Sequence, residues 1–170
     1  MCDCGVDLSD AMLNLAYANA QALHLPNARF ERADAKSLPY PDGAFATVIS
    51  NSLIHHLSDP VPFFNEAARV ATPNAAILFR DIRRPPPFLF PLWWRWFGRH
   101  YSGQMLRSYQ NSLRAAFTPR ELAAALRASN LRRCRLFRYH LTHIGIVRPA
   151  SSTTTVQASS SQSPPPALSS

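Results

Sequence analysis

The sequence predicts an α/β fold, a three-layer sandwich of helices around a mostly parallel sheet. Short apolar runs at 6–8, 28–32, 45–49 and 76–79 alternate with helix-patterned stretches, the order strand, helix, strand, strand, helix, strand that builds such sheets. Their connections are short and carry Pro26-Asn27, Asp42-Gly43 and Thr72-Pro73-Asn74, residues that break regular structure. The chain has 170 residues, 46% of them apolar, enough for one domain with a real core.

Each element has a local reason. Val6 and Leu8 flank Asp7 in the first run. Ser9 or Asp10 caps a helix whose Leu13, Ala16, Ala20 and Leu23 recur at helical spacing. Ala28–Arg32 is a strand ending at Ala33-Asp34-Ala35, and Phe45–Ile49 follows a proline-rich turn. Ser50-Asn51-Ser52 leads into a loop or short helical turn holding His55 and His56. Asp59-Pro60 starts a helix with Pro60 at its first position and Phe64, Ala67, Ala68 and Ala71 as its inner stripe. Ala76–Phe79 is the next strand and ends at Asp81. Thr118-Pro119-Arg120-Glu121 is a capping box before a helix faced by Leu122, Ala125 and Leu126. One or two strands are expected over Leu131–Ile146.

Between them, residues 82–117 hold a run of prolines and then Phe88, Phe90, Trp93, Trp94, Trp96, Phe97 and Tyr101 mixed with Arg95, Arg99 and His100. A structureless loop of that length is uncommon, so a lid or crossover is expected. The domain is expected over 1–149, and an uncharged Ser/Thr/Pro tail over 150–170 reads as disordered.

Charge is unevenly placed. Residues 1–80 carry eight acids and five Lys/Arg, whereas 81–150 carry two acids and thirteen arginines, and the whole chain has net charge +8. That asymmetry suits a partner or substrate bearing negative charge, or simply a solvated arginine face. Three cysteines, Cys2, Cys4 and Cys134, exclude a dense disulfide framework and favour a reducing, cytoplasmic setting. The apolar stretch Phe88–Gly98 is interrupted by Pro91 and Arg95 and is too short to span a bilayer. Cys134, His140 and His143 match no compact zinc spacing, so no metal site is expected.

Several segments in register carry a resemblance: Gly5-Val6-Asp7-Leu8-Ser9, Asp34-Ala35 with Leu38-Pro39, Pro41-Asp42-Gly43-Ala44-Phe45, Ser50-Asn51-Ser52-Leu53-Ile54-His55-His56-Leu57, Glu66-Ala67-Ala68-Arg69-Val70 and Phe79-Arg80-Asp81-Ile82-Arg83-Arg84-Pro85. Together they resemble the class I S-adenosylmethionine-dependent methyltransferases of the ubiquinone/menaquinone-biosynthesis type, over about residues 5–146. The resemblance implies a Rossmann-like sheet, S-adenosylmethionine as cofactor and a small-molecule methyl acceptor. It assigns Asp7, with Leu8 beside it, to the cofactor ribose, Asp34 and Ala35 to the adenine, and Asn51 and Ser52 to the cofactor at the next strand end. An acidic side chain at a strand tip accepts both hydroxyls of a ribose, which is the physical reason for the first assignment. Asp7 also reads as a turn residue before Ser9, and Asp34 as a solvated loop aspartate. His55 and His56 are the candidate catalytic pair, as bases or as pocket wall.

One part of the family pattern is missing. The five glycines are Gly5, Gly43, Gly98, Gly103 and Gly145, no two within four residues, so the family's glycine-rich cofactor loop has no counterpart. Asn74-Ala75 stands for the family's double glycine, in an expected turn before the 76–79 strand. Ala46 stands where the family often has aspartate. The resemblance therefore implies a chain lacking the strand and loop that come first in the family, read as a fragment with impaired activity. The strands on either side of the missing one would either keep unpaired edges or pair with each other in a new register. The alternative is a non-catalytic module that binds an anionic partner through the arginine- and aromatic-rich second half, with weak membrane-surface contact favoured over nucleic acid.

Overall fold

A computed structural model describes residues 3–151. Nearly all of the expected tail, 152–170, lies outside the described residues, as do Met1 and Cys2.

Strand β1 (Asp3–Asp7) runs into helix α1 (Asp10–Ala22), and β2 (Ala28–Arg32) returns parallel to β1. Ser9 caps α1, its Oγ accepting the Met12 N–H at 3.4 Å. Leu13 and Ala20 are buried, but Leu23 falls beyond the last turn and is exposed, which corrects the expected stripe. Strand β3 (Phe45–Asn51) is followed by a 3-10 turn over Ile54–His56 and by α2 (Val61–Val70). Pro60 is the cap of α2 rather than its first helical residue, because Asp59 Oδ1 accepts the Val61 N–H at 2.9 Å and holds the chain in a turn until there.

Strand β4 is longer than expected, Ala71–Ile82, so Ala71 opens a strand instead of closing a helix stripe. Nor is there a turn at Asn74-Ala75 that separates a shorter strand. Phe45 pairs with Ala71 and Thr47 with Ala76, so the residues between are taken up in a register shift of one continuous strand.

The 82–117 region is helical. A 3-10 turn (Pro87–Leu89) leads to α3 (Phe90–Phe97), and α4 (Gly103–Ala115) follows. Helix α5 (Pro119–Arg127) begins with the capping box, in which Thr118 Oγ1 accepts the Glu121 N–H at 3.3 Å and Glu121 Oε2 accepts the Thr118 N–H at 2.7 Å. Strands β5 (Arg135–Tyr139) and β6 (His143–Arg148) close the described chain as a hairpin.

The expectation of one mostly parallel sheet needs two corrections. Among the described residues the strands form two separate sheets, β1-β2 and β3-β4-β6-β5. Among the described residues β1 and β3 each stand at the end of their sheet. The larger sheet is mixed: β3 is parallel to β4, but β4/β6 and β5/β6 are antiparallel. The short connection between β5 and β6 dictates the antiparallel orientation of that pair, since parallel neighbours need a long crossover.

One face of the larger sheet packs against α2 and α5. Ile77, Phe79, Ile144 and Ile146 meet Phe63, Phe64, Ala67, Leu122 and Leu126 there, at about 25 cal/mol for each Å² of apolar surface removed from water. The opposite face presents Ile49, Leu78, Phe137 and Tyr139, all exposed.

The two sheets are linked through Tyr40. Its hydroxyl donates to Glu31 on β2, and its ring meets Phe45 of β3 edge-on at 4.9 Å. Burial, reinforced by Glu31, raises the Tyr40 pKa. The loop bearing Tyr40 is clasped by Arg69 of α2. That guanidinium donates to the carbonyls of Leu38 and Tyr40 and to Asp42 and Glu66 at 2.6–3.1 Å.

Candidate functional site

The carboxyl ends of parallel strands in an open α/β sheet are where such folds bind ligands. Four strand ends matter here. Asp7 is the last residue of β1 and is paired in register with Arg32, the last of β2. Asp34 follows two residues later, and the Ala33 N–H donates to the Asp7 carbonyl at 3.3 Å, so the two carboxylates stand on adjacent tips.

Each carboxylate is partly engaged. Asp7 Oδ1 accepts the Ser9 N–H at 2.8 Å, the local turn role weighed from the sequence. Asp34 Oδ1 accepts the Lys36 N–H at 2.9 Å, and its other oxygen lies 3.5 Å from Lys36 Nζ. A carboxylate has about four acceptor positions, so neither is spent by these contacts. Leu8 is exposed beside Asp7, and Ala35 is half-buried beside Asp34.

Ser50 and Asn51, expected at the carboxyl end of a strand closing at Ile49, are themselves the last residues of β3, and Asn51 pairs with Arg80 of β4. Ser52 takes φ 58°, a left-handed conformation uncommon outside glycine. Its N–H donates to the Arg80 carbonyl at 2.9 Å. The chain thereby swings off β3 into the 54–56 turn.

That turn is fixed by a residue not among the predicted site residues, Asp81 at the end of β4. Its carboxylate is 2% exposed. Oδ2 accepts the N–H of Ile54 at 2.6 Å and of His55 at 3.3 Å, while Oδ1 accepts the Ile82 N–H at 2.7 Å and lies 2.7 Å from His55 Nδ1. His55 itself is 8% exposed. His56 is exposed, and its ring lies 4.0 Å from that of His55, tilted 40°. Burial first, then the neighbouring His55, lower the His56 pKa, with Asp81 and Asp7 pulling the other way. Asp7 on the β1 tip is thus among the groups that bear on His56.

Two surface hollows, of about 430 and 360 Å³, lie at the opposite ends of β1 and β2. They are lined by Tyr17, His24, Leu25 and Pro26 in one case and by Cys4, Gly5, Pro26 and Phe30 in the other, and contain none of the predicted site residues. Strand topology is the better guide to the site here, because the carboxyl edge gathers the polar groups while these hollows are mainly apolar. Among the described residues no three His, Cys, Asp or Glu side chains gather as a metal cluster, and no helix is long and apolar enough to cross a membrane.

Residues 4–79 match the model of a family described as "Methyltransferase domain". By that match and by its relatives the chain is similar to S-adenosylmethionine-dependent methyltransferases. It is similar to ajmaline N-methyltransferase of Rauvolfia serpentina, 32% identical over 68% of this chain and 38% of that protein. It is also similar to ubiquinone biosynthesis O-methyltransferase of Hahella chejuensis, 28% identical over 78% of this chain and 54% of the relative. A SAM-dependent methyltransferase from Aquifex aeolicus shares the fold, with a TM-score of 0.61 and 19% identity over 85% of this chain and 66% of that one. The chain spans from about a quarter to somewhat over half of the length of the curated relatives it matches.

Asp7, Asp34, Asn51 and His56 lie in four separate segments of the matched residues, and the structure brings Asp7 and Asp34 onto adjacent strand tips. Asp81 lies just beyond the matched residues. Its sequence signal was an acidic residue closing a strand of otherwise buried alternation, Ala75, Ile77 and Phe79. A carboxylate continuing an inward-facing row needs partners, and those partners are the missing clue.

Proposed function

We propose that this chain binds S-adenosylmethionine at the carboxyl edge of β1, β2 and β3 and serves methyl transfer to a small-molecule acceptor in the cytoplasm. The observation that carries the reading is the placing of Asp7 and Asp34 on adjacent strand tips, with Asn51 at the carboxyl end of β3, within residues that match a methyltransferase domain. The donor set suits the nucleoside end of the cofactor: two exposed carboxylates on adjacent tips accept ribose hydroxyls and an adenine amino group, and the Ala35 backbone N–H stands next to the second. When bound, the cofactor supplies an activated methyl group open to in-line displacement.

The chain's own groups do the rest. His56, its pKa held below that of an ordinary imidazole, is neutral at pH 7 and able to accept a proton from an acceptor hydroxyl or amine as that atom attacks. His55 backs it and is itself held by Asp81, so the pair keeps its orientation, and alignment accounts for much of the acceleration in such displacements. Asn51 and Ser52 leave room for donor and acceptor to approach.

The grip on the amino-acid end of the cofactor is incomplete in this chain. No closely spaced glycines bring backbone amides to it. Activity of this chain alone is accordingly impaired. Titration calorimetry with S-adenosylhomocysteine tests the reading. Weak binding that disappears in Asp7→Ala and Asp34→Ala supports it. Binding undiminished in both variants, or no heat at millimolar ligand, refutes it.

A further inference from the structure

The 82–117 region is not used by the methyl-transfer reading, and its side chains are arranged in a particular way. On the inner side of α3, Trp93 is buried, packs on Phe97 at 5.2 Å and lies under the Arg83 guanidinium at 5.5 Å. On the outer side, Phe88, Leu92 and Trp96 stand four residues apart along the turn and helix and are 81%, 59% and 61% exposed. Spacing by four places side chains on one face of a helix. Met105 of α4 and Tyr101 between the helices add further exposed apolar surface. Burying such a row is worth about 1.5–3 kcal/mol per large side chain, so in water it is left without its natural environment.

The charges around this row have one sign. From Ile82 to Phe117 the sequence has six arginines and no aspartate or glutamate. Arg95 is exposed within α3, and the Arg99 guanidinium lies 5.4 Å over the Trp96 ring. An apolar row calls for an apolar medium, and the arginines beside it call for anions at the boundary of that medium. Aromatic rings and arginine stems settle at that boundary with the charged heads outward.

We propose that α3 is a docking face for an anionic lipid bilayer, with Phe88, Leu92 and Trp96 entering the acyl boundary and Arg95 and Arg99 meeting lipid phosphates. The contact is interfacial, since an eight-residue helix cannot span. Because α4 packs against the 54–56 turn, the docked face lies one helix from the candidate site. Lipid docking rests on α3 alone and stands whether or not the chain binds the cofactor.

All three tryptophans of the chain, Trp93, Trp94 and Trp96, lie in α3, so intrinsic fluorescence reports on this element. The full chain is mixed with phosphatidylcholine vesicles, either pure or containing about a third phosphatidylglycerol, a charge density that attracts basic segments. A blue shift and co-sedimentation with the anionic vesicles only are expected, weakening as salt is raised. Phe88→Ser with Leu92→Ser should lower the partition coefficient at least about tenfold at unchanged thermal midpoint. Arg95→Glu with Arg99→Glu should abolish the preference for anionic lipid, and it decides the matter if the first pair fails to fold. Arg132→Glu with Arg133→Glu, exposed elsewhere, should change binding much less. The proposal is overturned if anionic vesicles do not bind, or if the serine pair binds as tightly as the unaltered chain. It is also overturned if both arginine pairs weaken binding equally, or if single-stranded RNA produces the blue shift and vesicles do not.

Discussion

Replacing Asp81 by alanine should be among the most damaging single changes in this protein. The carboxylate receives three backbone N–H groups and one imidazole nitrogen in a site that is 2% exposed. Removing it leaves the Ile54 amide and the His55 ring without their acceptor, each a buried unsatisfied group costing about 1–3 kcal/mol. Loss of one member of a buried pair costs about 3–5 kcal/mol in comparable sites. The relief of no longer burying a carboxylate offsets part of this, so about 3–5 kcal/mol is the expected total. In a domain of this size that corresponds to a fall of about 10 °C in thermal midpoint. Urea denaturation followed by far-ultraviolet circular dichroism measures it, with His55→Ala and the double variant completing a cycle. The double variant should cost about 1–3 kcal/mol less than the sum of the singles. Because Asp81 props up the His56 pKa, the same substitution should lower it further, which an NMR titration of the imidazole C–H signals reads directly. A cost under about 1 kcal/mol, strict additivity, or an upward shift of His56 would show that Asp81 does not organise the turn.

Two further outcomes follow from packing and charge. A methyl group on Gly145 would run into the Phe137 ring, which lies across that glycine; Gly145→Ala should cost about 1–2 kcal/mol, and Phe137→Ala in the same chain should recover part of it, as a thermal-melt cycle would show. Stability should fall steadily as the solution is acidified from neutrality. The hydrogen bond from Arg69 holds the Glu66 carboxyl below its ordinary range, the Thr118 backbone N–H does the same for Glu121, and burial does so for His56. In each case the unfolded chain takes up the proton first, so the stabilisation is complete above the unfolded pKa and is lost as pH falls through the folded one. A urea midpoint that stays level or rises between neutral and acid pH would contradict this.

Much of the fold was legible because it depends on neighbours in sequence. Ser9 before an apolar periodicity, the Thr118–Glu121 capping box and the alternation in 28–32 each act over one or two turns of chain, and these elements stand where local chemistry puts them. The limits of β4 were not legible, because nothing in Ala71–Ala75 reads as strand without β3 alongside to accept its hydrogen bonds. Asp7, Asp34 and Asn51 were recognisable as strand-end residues. That Asp7 bears on His56 was not, since it depends on how the two sheets are set beside each other.

The sequence by itself determined the order of the strands and helices outside 82–117, the likeness to methyltransferases and the unopposed positive charge of 82–117. Tertiary structure alone decided three things. It left β1-β2 and β3-β4-β6-β5 as separate sheets, it turned Phe88, Leu92 and Trp96 outward while burying Trp93, and it brought Asp81 against His55. The reason is that each depends on partners distant in sequence: Thr47–Asn51 of β3 pair with residues 29 positions on in β4, Asp81 reaches back 26 positions to His55, and no local pattern encodes such meetings.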